Sequence, residues 1–295
     1  MRLKEVHNIL KVNWVKKKFR AALVQMKSSV DKNKNLSYSL KLISRAAQNR
    51  AQLICFPEFQ MAYSPVEQKP ETLHEIAEKI NGNFISALSN SAKKNKINVV
   101  ATIYEIINTN KQNQKVFDTA VIINEGGKIQ SVYRKIHLYD ALGFKESKKL
   151  LAGNIIEKPT RTSVGNLGLQ ICYDMRFPEI SRILTVNGAN ILVSPSAWVA
   201  GFMKQEHWEI MLKSRAIENG VYVIAPNQLG NIYCGHSMVI EPFGSTLIDM
   251  GIREGMEILD IDNSRIDTVR RTLPLLKNRR TDVYKNYIKA FDSES

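Results

Sequence analysis

The sequence lacks the features that identify membrane-spanning, secreted and zinc-binding proteins. No stretch approaches the roughly 20 uninterrupted apolar residues of a membrane-spanning helix, so none is predicted. The first 20 residues lack the apolar core and the small-residue cleavage site of a secretory signal, and we expect no export. Only three cysteines are present, Cys55, Cys172 and Cys234, and none forms a C-x-x-C pair. Neither a disulfide framework nor a zinc site is predicted, and a reducing, cytoplasmic compartment fits this cysteine usage.

Linkers rich in proline, glycine or serine and low-complexity tracts are also missing, which favours one compact domain. Among the 295 residues, 44% are apolar and 24% are charged, and these values exclude disorder, collagen and coiled coil. The alternation of predicted strands and helices occupies the centre of the chain. We therefore predict a central domain over residues 19–272, a basic N-terminal extension over residues 1–18 and a C-terminal arm over residues 273–295.

Positive charge is in excess, but it is concentrated at the two ends of the chain. The formal net charge is +14, of which residues 1–20 carry +6 and residues 265–295 carry +4. Basic tails are more often solubilising arms than recognition surfaces, and the aromatic and basic interleaving of single-strand-binding proteins is missing. Nucleic acid is therefore not expected as a partner. A basic binding or scaffold protein remains the alternative from another functional class.

The hydrophobic pattern of the first half predicts a β–α–β unit followed by a hairpin. Phe19 begins the strand FRAALVQM, and Asp31 caps the helix that follows. The predicted apolar face of that helix consists of Leu36, Leu40, Ile43 and Ala47. The strand QLICF comes next, and one helical stretch is predicted over about residues 71–95. After another strand, Glu125-Gly126-Gly127 predicts a hairpin turn, so the sheet contains both parallel and antiparallel strands.

The second half repeats the α/β alternation after a polar loop of about 30 residues. The strand NLGLQICYD leads to a helix over about residues 178–187, and ANILVSPS leads to a helix over about residues 204–219. Four further strands and a last helix near Asn263 complete the pattern. The sequence therefore predicts an α/β architecture with mixed sheets.

Three candidate reactive residues follow predicted strands directly: Glu58 after QLICFP, Lys135 after KIQSVYR, and Cys172 after NLGLQI. Ligands of open α/β sheets bind beyond the carboxyl ends of the strands. Taken singly, the residues also fit a first-turn helix acid, a solvated strand-end charge and a small buried hydrophobe. Taken together, they suit acyl transfer. A cysteine attacks as its thiolate and needs a base and a cation, and the Tyr173 N–H beside Lys135 can stabilise an oxyanion.

The segments around these residues resemble the three catalytic motifs of the nitrilase, or carbon–nitrogen hydrolase, superfamily. They are FPEF, YRKIHL and GLQICYDMRFPE, in the order and spacing of that family. ICYDMRFPE, GHSMVIEPFG and RRTLPLLKNRRTDVY resemble most closely its Nit-protein and ω-amidase branch. The resemblance extends from about Phe19 to Tyr284 and implies a four-layer αββα sandwich with mixed sheets.

The resemblance also implies the roles of the reactive residues. Glu58 is the implied general base and acid, Lys135 stabilises the oxyanion, and Cys172 is the nucleophile that forms a thioester. No metal and no organic cofactor is required by this chemistry. In GFKESKKL, Glu146 best matches the family's second glutamate, which orients the lysine, and Asp140 is the fallback. The segment between Lys135 and Glu146 is shortened, and we expect a different loop beside the pocket.

The substrate is less well defined by the sequence. Arg176 can hold a substrate carboxylate or form a structural ion pair with Glu179. Tyr63 and Trp198 resemble pocket-lining aromatics by their motif positions, and a core role is the alternative for each. The three histidines His137, His207 and His236 show no ligand-like pairing, so no metal site is predicted.

We expect an amidase that hydrolyses the terminal amide of a small carboxylate-bearing molecule, such as an α-keto acid ω-amide or deaminated glutathione. A nitrilase or an N-carbamoyl amidohydrolase would use the same three residues and remains the alternative. The resemblance further implies a homodimer or a larger homo-oligomer, and the short apolar runs predict no membrane association.

Overall fold

The computed structural model describes residues 16–107 and 114–285. The predicted N-terminal extension therefore lies outside the described residues except for residues 16–18, and so do residues 286–295 of the predicted C-terminal arm. In the part of the chain that is described, no helix is both long and apolar enough to cross a membrane.

The first sheet combines strands from the first half of the chain with one strand from its end. Its strands are β1 (Lys18–Gln25), β2 (Leu53–Cys55), β3 (Asn98–Glu105), β4 (Val116–Ile123), β5 (Ile129–Arg134), β6 (Leu150–Leu151) and β15 (Gly255–Asp262). Their order is β15-β1-β2-β3-β4-β5, with β6 beside β4. Strands β1, β2 and β3 are parallel, and β4 and β5 form the predicted antiparallel hairpin. Strand β5 therefore runs in the same direction as β2 and β3.

The second sheet is built from the second half of the chain. Its strands are β7 (Thr160–Thr162), β8 (Gly165–Leu169), β9 (Ile191–Val193), β10 (Tyr222–Ala225), β13 (Met238–Ile240) and β14 (Thr246–Asp249), and a separate ribbon consists of β11 (Leu229–Gly230) and β12 (Tyr233–Cys234). Their order is β14-β13-β10-β9-β8-β7, with β8, β9 and β10 parallel.

Helices cover the outer face of each sheet. They are α1 (Lys32–Gln48), α2 (Pro70–Ile76), α3 (Asn83–Asn95), α4 (Pro178–Val186), α5 (Lys204–Asn219) and α6 (Ser264–Thr272). Alternate residues of β1 separate the layers, because Ala22 and Val24 belong to the core beneath α1 and α3. Ala21 and Leu23 belong to the core shared with the second sheet. The predicted αββα sandwich with mixed sheets is confirmed.

The prediction of one helix over residues 71–95 was wrong, because the chain turns between α2 and α3. The Glu78 carboxylate accepts the Phe84 N–H at 2.8 Å and pairs with the Lys32 ammonium at 2.8 Å. A Cβ at Gly82 would lie 2.6 Å from the same carboxylate, so the turn depends on glycine. A contact with α1 therefore places the beginning of α3.

Helix α1 begins as predicted, since Asp31 accepts the N–H groups of Asn33 and Lys34. Its buried face differs from the predicted one and consists of Asn35, Ser39, Leu42, Ile43 and Ala46. The Asn35 amide donates to the Met61 carbonyl at 2.9 Å, and the Gln60 amide donates to the Ser39 hydroxyl at 3.0 Å. These bonds hold in place the segment that follows β2.

Candidate active site

Glu58, Lys135 and Cys172 lie at one end of the sandwich, beyond the carboxyl ends of parallel strands. Glu58 follows β2, Lys135 is the residue after β5, and Cys172 follows β8 of the second sheet. The direction of β5 explains why a hairpin strand delivers its residue to the same end as β2. The site therefore takes residues from both sheets.

The Lys135 ammonium is at the centre of a group of charges that we name the carboxylate cluster: Lys135, Glu58, Glu146 and Asp118. All of them are buried except Glu146, whose side chain is 18% exposed. The Lys135 Nζ lies 2.7 Å from Glu58 Oε1, 2.9 Å from Glu146 Oε2 and 3.8 Å from Asp118 Oδ2. The second Glu58 oxygen accepts the Ala197 N–H at 2.6 Å, and Glu146 Oε2 accepts the Tyr139 N–H at 2.7 Å.

The charges of this cluster set the protonation of its members. Burial disfavours a charged Lys135, but Glu146 and Glu58 outweigh burial, so the pKa of this ammonium lies well above its ordinary value. Burial and the Glu58 charge raise the pKa of Asp118 well above its ordinary value, against the effect of Lys135. Burial also raises the pKa of Glu146, with Lys135 opposing it. One ammonium faces more carboxyl groups than it can neutralise, and burial favours the protonated form of Asp118.

Cys172 begins a short 3-10 helix, Cys172–Arg176, and has a left-handed backbone with φ of 43°. Non-glycine residues adopt this conformation at a cost, and it recurs at functional sites. The Cys172 N–H donates to the Pro195 carbonyl at 3.0 Å. The next amide, the Tyr173 N–H, donates to no group within the described residues. As one of the first N–H groups of a helical turn, it is available to an oxyanion.

The thiol of Cys172 differs from the expected activated thiolate. Burial raises its pKa well above the ordinary value, the Glu58 charge adds to this, and Lys135 opposes it. Burial therefore favours the neutral thiol over the thiolate. A thiolate forms only when a base removes the proton, and Glu58 lies near enough for its charge to act on this thiol.

Asp174 joins the two strands that deliver Lys135 and Cys172. Its carboxylate accepts the Tyr133 hydroxyl at 2.7 Å, the Ile171 N–H at 2.9 Å and the His137 N–H at 3.0 Å. Tyr133 lies on β5 of the first sheet, and Ile171 follows β8 of the second. Since Asp174 is completely buried, these bonds form a rigid link between the two halves of the site.

The remaining predicted site residues are distributed between the pocket and its surroundings. Tyr173, Arg176 and Trp198 line the pocket together with Cys172 and Glu146. Tyr63 does not line it and instead packs edge-on against the pocket residue Tyr233, at a ring distance of 6.1 Å.

Two alternatives from the sequence analysis are also located by the structure. Asp140 is exposed and accepts the Ser147 N–H at 3.0 Å, so Glu146 is the acid that reaches Lys135. The Arg176 guanidinium stacks on the Trp198 ring at 4.8 Å and forms no ion pair with Glu179 among the described residues.

Sequence reasoning missed three residues of the site, namely Asp118, Tyr139 and Lys204. Tyr139 and Lys204 line the pocket, and the Lys204 ammonium donates to the Tyr139 hydroxyl at 3.1 Å. Asp118 stands as an acid within the predicted strand VFDTAVIIN, and an acid inside a buried strand is a signal that the sequence offers. No comparable signal marks Lys204, which begins α5 as an ordinary helix residue.

Comparison with known proteins places the chain in a family. The model of the carbon–nitrogen hydrolase family matches residues 20–271. The deaminated glutathione amidase of Bos taurus is 34% identical over 276 residues, covering 90% of this chain and 83% of that protein. The omega-amidase Nit3 of Saccharomyces cerevisiae is 36% identical over 290 residues, covering 91% and 96%. The NitFhit fusion protein of Drosophila melanogaster is 35% identical over 274 residues, and the chain spans 58% of its length.

The solved structure of Saccharomyces cerevisiae Nit3, a member of branch 10 of the nitrilase superfamily, has a similar fold. It superimposes with a TM-score of 0.79 at 31% identity, covering 91% of this chain and 98% of that chain. The family match includes the strands and helices that carry the site. The chain therefore belongs to the carbon–nitrogen hydrolase family and is a hydrolytic enzyme.

Proposed function

We propose that this chain is a cysteine-dependent amidase that hydrolyses the terminal amide of a small carboxylate-bearing substrate. The observation that carries the proposal is the buried Cys172 thiol beside the carboxylate cluster, in a pocket that Arg176 also lines. Among its relatives are a deaminated glutathione amidase and an omega-amidase, which favours amides over the nitriles and N-carbamoyl compounds that the same residues could process.

In the proposed acylation, Glu58 removes the thiol proton as the Cys172 sulfur attacks the amide carbon. The carbonyl oxygen becomes an oxyanion, and the Tyr173 N–H and the Lys135 ammonium are the donors available to it. The protonated Glu58 then gives its proton to the leaving nitrogen, so the C–N bond breaks and ammonia departs. A thioester between Cys172 and the acyl group remains.

In the proposed deacylation, Glu58 accepts a proton from a water that attacks the thioester carbon. The same donors stabilise the second oxyanion. The C–S bond then breaks, the thiol of Cys172 regains the proton from Glu58, and the acid product is formed. Glu146 contributes by holding Lys135, because its carboxylate lies 2.9 Å from Nζ and is itself fixed by the Tyr139 N–H.

The test is ammonia release from ω-amides, nitriles and N-carbamoyl amino acids, combined with mass spectrometry of the enzyme. We expect release from a carboxylated amide and a transient acyl adduct on Cys172. Cys172→Ala should lower kcat by more than about 10⁴-fold, because the covalent route is lost.

The matched control is Cys234→Ala, which removes a partly buried thiol outside the pocket lining. It should change kcat by less than about twofold. Turnover of nitriles or carbamoyl compounds alone would keep the nucleophile but replace the amidase proposal. Loss of activity in both cysteine variants would show that the effect is not specific to Cys172 and would contradict its role as the nucleophile.

We also propose that the chain forms a homodimer through the helices outside the second sheet. Ile210 and Ile217 of α5 and Phe243 beside them are 60%, 42% and 55% exposed, and Ile183 and Val186 of α4 are also exposed. Apolar side chains grouped in this way favour a protein partner. Light scattering should give a dimer that Ile210→Glu dissociates, whereas Ile252→Glu, which changes an exposed isoleucine in a turn, should leave it intact.

Cytoplasmic location and the predicted N-terminal extension remain proposals. Fractionation of cells that express the full chain should find it with cytoplasmic markers. Accumulation in an organelle would contradict this location, and deletion of residues 1–15 would then show whether those residues direct the chain there.

A further inference from the structure

Lys204 is a buried cation without an acidic partner. The residue is 7% exposed, and its ammonium donates to the Tyr139 hydroxyl, 4.8 Å from the centre of the Trp198 ring. Its backbone carbonyl accepts the Trp198 indole N–H at 2.7 Å, which fixes the residue against that ring. Across the described ranges, no carboxylate pairs with this ammonium.

Arg176 presents a second cation to the same pocket. Its guanidinium stacks on Trp198 at 4.8 Å and on Tyr173 at 6.0 Å, and within residues 16–107 and 114–285 it has no ion-pair partner. The positive charge of Arg176 acts on Lys204, and together with burial it lowers the pKa of that ammonium. We name Arg176 and Lys204 the cation pair.

Two cations in one pocket with no carboxylate paired to either are unfavourable for the folded protein, and Glu146, which lines the same pocket, pairs with Lys135 instead. Buried charges in proteins are normally paired, and stacking on aromatic rings recovers only about 0.5–2 kcal/mol for each cation. Lys204 also begins α5, where the helix dipole disfavours positive charge. An arrangement with these three costs is explained by a ligand that brings negative charge.

We propose that the cation pair binds a substrate end that carries two anionic groups, one at Arg176 and one at Lys204. The preferred substrates are then ω-amides with two carboxylates remote from the scissile amide, and Lys204 is the residue that selects them. This inference rests on the proposed amidase function and specifies how many negative charges the preferred substrate carries.

Three amides of equal reach test this inference: pentanamide, glutaramate and 2-(2-carbamoylethyl)malonate, which carry zero, one and two carboxylates. The wild-type enzyme should show the highest kcat/KM for the malonate derivative, by about tenfold or more over glutaramate, as expected for one additional charged hydrogen bond. Lys204→Met should remove that preference through KM, so that the malonate derivative and glutaramate are hydrolysed with similar kcat/KM.

Two further variants separate charge from structure. Lys204→Arg keeps the charge and should retain the preference for two carboxylates. Lys213→Met removes a lysine of the same helix that pairs with Glu209 at the surface, and it should change none of the three rates. Equal wild-type rates for the mono- and dicarboxylate, or an equal loss on all three amides in Lys204→Met, would overturn the inference.

Binding measurements distinguish this failure from a failure of the proposed function. Calorimetry with the Cys172→Ala variant measures affinity for the three amides without turnover. Tighter binding of the malonate derivative, lost in the double variant with Lys204→Met, supports the cation pair even if no amide is hydrolysed. Equal binding of all three amides would overturn it, whatever the reaction catalysed.

Discussion

The carboxylate cluster and the cation pair lie in the same site but differ in what surrounds their charges. In the cluster, Lys135 is surrounded by protein carboxyl groups at 2.7–3.8 Å, and these groups outnumber the one ammonium that they share. In the cation pair, Arg176 and Lys204 have aromatic rings and a hydroxyl as neighbours. Tyr139 connects the two groups, since its N–H binds Glu146 and its hydroxyl binds Lys204.

The surroundings of a buried charge distinguish residues that act on the reaction from residues that bind the substrate. A buried charge already neutralised by the protein is held in position before the substrate arrives, as oxyanion stabilisation and proton transfer require. A buried charge without a counter-ion gains its partner on binding. Changes in the cluster should therefore affect kcat and folding, and changes in the cation pair should affect KM.

Among the variants that distinguish the carboxylate cluster from the cation pair, Glu58→Gln should have the largest effect on the kinetics. The amide cannot accept the Cys172 proton, so kcat should fall by about 10²–10⁴-fold in steady-state ammonia release, with a smaller change in KM. Arg176→Met should instead raise KM for carboxylated amides. The control Glu179→Gln changes the exposed first-turn acid of α4 and should match the wild type. An equal increase in KM in Glu58→Gln and Arg176→Met would contradict the assignment of the cluster to turnover and of the cation pair to substrate binding.

Two lysine-to-methionine variants test the comparison in folding. Lys135→Met leaves buried carboxylates without a counter-ion and should reduce the free energy of unfolding by about 3–5 kcal/mol. Lys204→Met removes a cation that no protein acid needs, so it should be neutral or stabilising. Urea unfolding monitored by circular dichroism measures both. A similar loss of unfolding free energy in the two variants would mean that Lys204 stabilises the folded protein as much as Lys135 does.

Tyr133→Phe tests whether the link through Asp174 aligns the two halves of the site. Loss of the hydrogen bond to a buried carboxylate should cost about 1.5–3 kcal/mol of stability and lower kcat. The control is Tyr222→Phe, because the Tyr222 hydroxyl also bridges the sheets, at the Asp262 carbonyl and away from the pocket. It should lower stability without changing kcat. A matching kcat loss in the control would assign the effect to stability alone.

Asp118→Asn provides the smallest effect and depends on pH. The raised pKa of Asp118 keeps it protonated in the folded chain at pH values where the unfolded chain, with an ordinary value near about 3.9, has lost the proton. The free energy of unfolding therefore falls as pH rises through this window, and asparagine removes that fall. The variant should gain about 2–4 °C in Tm at pH 8, a difference of about 1 kcal/mol, and little at pH 4. An equal gain at both values would contradict the protonation assigned to Asp118.

The fold was predictable where local pattern and tertiary structure agree. The limits of α5 and the hairpin between β4 and β5 follow from apolar periodicity and glycine alone. The buried face of α1 does not, because Asn35 and Ser39 are buried by hydrogen bonds to the segment after β2, which periodicity cannot detect. The break before α3 likewise depends on Glu78 and its contact with another helix.

The site was predictable to the extent that reactive residues follow strands and match family motifs. Glu58, Lys135 and Cys172 satisfy both conditions, and the structure brings them together. Lys204 was beyond prediction, since its burial depends on Trp198 and Tyr139, which reach it from separate loops. The sequence also did not predict the raised pKa of Cys172, because burial is its main cause and a sequence motif carries no information on burial.

The excess of carboxyl groups around Lys135 has a consequence for what happens after the reaction. Hydrolysis turns a neutral amide into an anion at the place where Glu58 and Glu146 already share one ammonium. The new carboxylate is repelled there, while the amide it replaces is not. The acid is thus bound less tightly at its reacting end than the amide was, so product inhibition should be weak.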